Sequence, residues 1–123
     1  MKIIINGESP TLNEVIKASK SHYMAYANQK KDYTALTMMQ VEDMEKVTNP
    51  VDIKFTWYRK DRRSDPDNIS GGGAKMVLDG LVKAGKLNND GWREVNSLSH
   101  YFEVDRDNPR VEVEIREIKK ESV

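Results

Sequence analysis

The sequence predicts an α+β domain: a mixed, largely antiparallel sheet with flanking helices. Three observations carry that prediction. Short β-branched or alternating apolar runs lie near the start, in the middle and towards the end of the chain, as half-buried strands require. Asn13 to Met44 contains neither proline nor glycine and repeats its apolar residues at roughly helical spacing. A second, shorter helical pattern stands between the middle and later strands and is closed by Gly85.

Taken in order, Lys2 to Asn6 is a β-branched run closed by Asn6-Gly7, a strand followed by a turn. Leu12, Val15, Ile16, Tyr23, Tyr26, Ala27, Leu36 and Met39 then mark one long helix or two broken ones. Asn49-Pro50 ends that region, and Ile53, Phe55 and Trp57 alternate with Lys54, Thr56 and Tyr58 in a second strand. Val77, Leu81 and Ala84 follow at i, i+4, i+7, which predicts a helix over about Ala74 to Ala84 with Gly85 as its C-terminal cap. Leu98, Phe102 and Val104 share one period-2 register and Val111, Val113 and Ile115 another. The turn-rich Asp105 to Pro109 between them predicts an antiparallel hairpin. The tail after Ile118 is expected to fray.

Length and composition bound the function. The 123 residues suit one domain, residues 1–123, with an extended substrate calling for a second subunit. Lys plus Arg and Asp plus Glu each number 20, so no overall field points to a nucleic acid and any such signal must be local. The absence of cysteine removes disulfides and thiolate metal sites, and with only His22 and His100 a zinc site of the His/Cys kind is nearly excluded. A metal here should be held by oxygen. No apolar run is long enough to span a bilayer and the first residues are too short for a signal-peptide core, which points to a soluble, cytoplasmic protein with no membrane partner.

The chemistry concentrates between Arg62 and Asp90. Asp65, Asp67 and Asp90 are oxygen donors of the kind Mg²⁺ takes together with water and a substrate phosphate. Pro66 biases Asp65 towards an extended conformation, and if the segment stays extended Asp65 and Asp67 face one point. A solvated turn is the plain alternative for Asp-Pro-Asp-Asn. A calcium loop fails because Ile69 and Met76 would stand at ligand positions, and a phosphate loop fails because Ala74 precedes Lys75. Lys75 and Asp79, at i, i+4, form either a surface ion pair or a cation for a scissile phosphate. Arg59, Lys60, Arg62 and Arg63 form a basic cluster suited to phosphates, or simply a solvated charge run. Trp92 and Tyr101 either pack or stack on an unpaired base.

These residues resemble the RusA family of Holliday-junction resolvases, small endonucleases of phages, prophages and bacteria. The likeness is carried by Asp65-Pro66-Asp67-Asn68, Lys75, Asp79-Gly80-Leu81 and Asn89-Asp90, and extends more weakly to Leu12-Asn13 and to Asn108-Pro109-Arg110-Val111. It implies that Asp65, Asp67 and Asp90 hold Mg²⁺, that Lys75 assists catalysis, and that a homodimer makes paired nicks across a four-way junction. Arg59, Lys60, Arg62, Arg63 and Asn68 are the expected DNA contacts. The chain departs from the family's pattern in placing Lys75 eight rather than four residues after the second Asp, through Gly71-Gly72-Gly73, and in reducing an acidic pair to Asn89-Asp90. The glycines are expected to form a flexible loop that orders on DNA. A less selective nuclease of flaps or branched DNA, and a junction-binding module that no longer cuts, are the rival functions.

Overall fold

A computed structural model describes residues 1–21 and 23–118; for Ser21, Tyr23 and 25–30 it describes the backbone alone. His22 and the tail expected to fray lie outside the described residues. The elements follow in chain order: β1 (Lys2–Asn6), α1 (Leu12–Ser21), α2 (Tyr23–Gln40), β2 (Val51–Arg59), α3 (Pro66–Lys83), β3 (Val95–Val104) and β4 (Arg110–Glu117). The region read as one long helix or two is two.

β2 is central because its alternate residues, Val51, Ile53, Phe55 and Trp57, are apolar and buried, while Lys54 on the opposite face is exposed. The sheet order is β1-β4-β2-β3, with β1 and β2 antiparallel to β4, and β3 parallel to β2. The sheet is therefore mixed and largely antiparallel. The expected β3–β4 hairpin does not form, since β2 lies between the two strands. Asp105 to Pro109 instead steps over the end of β2, and the Asp105 N–H donates to the Arg59 carbonyl at 2.8 Å. At the other end, the Asp52 carboxylate accepts from Asn96, Ser97 and Arg116, which pulls its pKa down to about 2 and pins the start of β3 onto β2.

α3 begins eight residues earlier than Ala74, the start its apolar spacing predicts, and this is the largest correction to the sequence reading. Asp65 is extended, at φ −68° and ψ 150°, as a residue before proline should be, but it is the N-cap and Pro66 opens the helix. Asp67 thus sits in the first helical turn, and the extended i, i+2 alignment of Asp65 with Asp67 does not arise. The three glycines lie inside α3 and form no loop. They allow close approach: a Cβ on Gly72 would stand 2.0 Å from the Pro10 carbonyl oxygen, and one on Gly73 would stand 2.8 Å from the Trp57 ring. The far end closes as predicted, with Gly85 at φ +74° and its N–H and that of Lys86 donating to Val82 and Leu81 carbonyls at 3.0 and 2.9 Å.

α1 starts at a capping box in which the Thr11 hydroxyl oxygen accepts from the Glu14 N–H at 3.2 Å and the Glu14 carboxylate accepts from the Thr11 N–H at 3.3 Å. α2 turns Tyr33, Thr34 and Thr37 inward and leaves Leu36 and Met39 exposed, so the apolar spacing of these last two picked the outer face. Thr37 is small enough for α3 to press Gly80 against it; a Cβ on Gly80 would meet the Thr37 Cβ at 2.5 Å.

Candidate active site along helix α3

α3 crosses from the end of β2 back towards the start of β3, and one of its ridges faces solvent. Asp67, Gly71, Lys75 and Asp79 are spaced by four and form that ridge; the first three are exposed and Asp79 is partly buried. Eighteen residues of helix make the ridge long. At 1.5 Å per residue, Asp67 and Lys75 are roughly 12 Å apart along the axis.

Lys75 is the best-fixed member. Its ammonium donates to Asp90 Oδ2 at 2.5 Å and pairs with Asp79 Oδ1 at 3.0 Å. The hydrogen bonds to Asp90 and then Asp79 raise its pKa, so it stays fully protonated at neutral pH. Asp90 comes to this point from the loop before β3, where the Asn89 side chain accepts from the Asp90 N–H at 2.9 Å.

Asp65 and Asp67 stand two or more helical turns away, both exposed at the N-terminus of α3. Neither carboxylate has a hydrogen bond or ion pair among the described residues, and Asp65 does not cap the helix through its side chain. The free amide groups of the first turn favour an incoming anion. Asn68, an expected DNA contact, also has a role within the fold. Its Oδ1 accepts from the Asn13 N–H at 2.8 Å and ties the starts of α1 and α3 together.

The basic cluster divides. Arg59 points inward, pairs with Glu8 at 3.2 Å and donates to the Ser9 carbonyl at 3.0 Å, so its guanidinium fastens the β1–α1 connection to β2. Lys60, Arg62 and Arg63 lie nearer the surface, with Arg63 3.5 Å from Asp61. Arg62 and Asp65 line a hollow together with Ile69 and Phe102.

A profile of the endodeoxyribonuclease RusA matches residues 9–116, from just before the capping box to β4. The chain belongs to the RusA endodeoxyribonuclease family. The family is one of DNA-cutting enzymes, and none of this chain's described helices is long and apolar enough to cross a membrane. A comparison with curated proteins found no match.

Against the RusA pattern, the eight-residue spacing becomes intelligible on the ridge. Two steps of four along one helix keep Lys75 on the face of Asp67, displaced by about one turn from where a four-residue spacing would put it. Gly71, between them, leaves the ridge without a side chain.

Fit to a divalent cation is decided by the donors. Asp65 and Asp67 meet the requirement for exposed, uncommitted carboxylate oxygens. Asp90 is engaged by Lys75, and among the described residues no three His, Cys, Asp or Glu side chains are gathered at metal-holding distance. Asp79 is the site residue that sequence reasoning left as an ion-pair partner. Its i, i+4 relation to Lys75 was visible, but its sharing of that ammonium with Asp90 depends on a loop fold no local pattern encodes.

Proposed function

We propose that the chain is a structure-selective, Mg²⁺-dependent endonuclease that resolves four-way (Holliday) DNA junctions by paired phosphodiester cleavage as a homodimer. The observation that carries this reading is the protonated Lys75 held by Asp79 and Asp90 on the exposed ridge that Asp67 begins. It joins a fixed cation to an uncommitted acid on the same helix, with another at the N-cap, in a RusA-family fold.

Asp65 and Asp67 are proposed to hold Mg²⁺ as they stand, and Asp90, which is engaged by Lys75, would join them only on exchanging that ammonium for the ion. When bound, the ion supplies Lewis-acid polarisation of the phosphate and a more acidic attacking water. The protein's own residues do the rest. The first-turn amides of α3 bind the phosphate oxygens, and Lys60, Arg62 and Arg63 hold the flanking backbone. Lys75 brings a compact positive charge to the oxygen on which negative charge develops as the P–O bond breaks. Two copies related by a two-fold axis would present two such sites to opposed strands.

One rival has a specific observation in its favour. Because Asp90 is engaged by Lys75 and not grouped with Asp65 and Asp67, a junction-binding module that does not cut would look the same. Nicking of a synthetic four-way junction, a flap and a linear duplex, each in Mg²⁺ or EDTA, with wild type and Asp67→Asn, separates the readings. Resolution predicts symmetric nicks in the junction alone, only in Mg²⁺, with Asp67→Asn binding but not cutting. Equal cutting of flaps supports a less selective nuclease, and binding without cutting in every metal supports the module.

A further inference from the structure

Trp92 is 100% exposed, whereas Trp57, the chain's other tryptophan, is 1% exposed. A tryptophan normally buries a large part of its ring. The turn that carries Trp92 is anchored: the Glu94 and Val95 N–H groups both donate to the Gly91 carbonyl, at 3.2 and 2.9 Å. Lys75 holds Asp90 on one side, and on the other the Val51 N–H donates to the Glu94 carbonyl at 2.9 Å. The indole therefore projects from a fixed apex, two residues from the carboxylate that Lys75 grips.

Its neighbourhood suits a nucleobase. Arg93 is next in sequence, and Lys75 is the cation of the adjoining site. A flat aromatic face near cations is how proteins receive unpaired bases, since every base has a π-face and its backbone is anionic. A continuous duplex hides those faces in its own stack; a branch point opens them. Tyr101, the other stacking candidate, already carries the Lys54 ammonium 4.8 Å from its ring centroid.

We infer that Trp92 stacks on a base unstacked at the branch point of the DNA and so helps the enzyme distinguish junctions from duplex. This rests on the proposed junction activity. It goes beyond that activity by giving the turn before β3 a substrate contact, and it makes Trp92 a specificity residue.

The test uses the two tryptophans' separate surroundings. Trp57 is buried and donates to His100, so red-edge emission and acrylamide quenching report on Trp92. Junction and matched duplex are titrated into wild type, Trp92→Ala and Trp92→Phe, in EDTA and again in Ca²⁺, with binding followed independently by anisotropy of a labelled strand. Junction binding is expected to quench the red-edge emission and shield it from acrylamide, and duplex to do neither. Trp92→Ala should weaken junction affinity about 5- to 150-fold, with Trp92→Phe recovering most of it. If the junction binds by anisotropy while the emission stays unchanged and Trp92→Ala binds like wild type, stacking is overturned and the junction activity survives. If no variant binds the junction, both fall. An emission shift that depends on protein concentration without DNA means a second copy covers the ring, which also overturns the inference.

Discussion

At the residue scale, His100 shows how a partly buried polar pair sets a pH limit. Trp57 Nε1–H donates to His100 Nδ1 at 3.0 Å, and the imidazole stacks on Phe55 with ring centroids 4.8 Å apart. Nδ1 must therefore be unprotonated. Desolvation by burial lowers the His100 pKa below its ordinary 6.5. A group whose folded pKa lies below its unfolded value contributes stability above the unfolded value and loses it as pH falls through the folded one. Thermal melts should thus be flat from about pH 8 to about 6.5 and then decline towards about pH 5, where most carboxylates are still ionised. In His100→Phe the decline across that window should vanish; an unchanged slope would locate it in another group. Lys75 makes the complementary catalytic case. Lys75→Met leaves Asp79 and Asp90 without their shared cation, and nicking is expected to drop about 10²- to 10³-fold while junction affinity by anisotropy changes only a few-fold. Full activity in this variant would remove Lys75 from the mechanism.

At the element scale, α3 separates intrinsic propensity from packing. In an isolated helix, glycine to alanine gains about 1 kcal/mol. The nearest neighbours of a new Cβ on Gly71 belong to the side chain of Leu12, with Cδ2 at 3.3 Å, so Gly71→Ala should be neutral or stabilising by up to about 1 kcal/mol. At Gly72 the Cβ would meet backbone at 2.0 to 2.7 Å, which cannot yield without moving the Pro10–Leu12 segment. Gly72→Ala should therefore cost about 2 kcal/mol or more despite its better propensity, measured as a fall in urea midpoint. Equal effects at both positions would show that the contact is not tight. The same helix marks the limit of sequence reasoning. Val77, Leu81, Ala84 and Gly85 revealed its second half, but three successive glycines suggested a flexible loop because their value lies in contacts with Pro10, Thr11 and Trp57, which are distant in sequence. The Pro66 start was available as proline at a first helical position, and Thr11-Leu12-Asn13-Glu14 was an available capping box. The period-2 runs located all the later strands, yet nothing local tells β3 and β4 that each will pair with β2 and not with the other. The acids and Lys75 were legible as candidates only; their division between the start of α3 and the Asp90 loop followed from the helix being longer than its apolar pattern.

At the scale of the whole molecule, the balanced charge becomes a quantitative constraint on how this enzyme grips DNA. With 20 cationic and 20 acidic side chains there is no net field, and the inward turn of Arg59 leaves Lys60, Arg62 and Arg63 as the cations available beside the start of α3. Each phosphate neutralised releases counterions and contributes about −0.9 to the slope of log K against log salt. Three contacts give a slope of about −2.7 for one protomer, and a two-fold dimer holding opposed strands gives about −5.4. Junction affinity measured by anisotropy between about 50 and 200 mM salt should follow the steeper line, in a complex whose sedimenting mass contains two chains. Arg62→Ala, present once per protomer, should reduce that slope by about 1.8 in a dimer but only about 0.9 in a monomer, while Arg59→Ala should lower stability and leave the slope nearly unchanged. A slope near about −2.7 with one chain per junction would overturn the paired-site assembly even if cutting is observed. A slope that responds to Arg59→Ala as strongly as to Arg62→Ala would show that the Glu8 pairing opens on DNA and that all four cations reach the backbone.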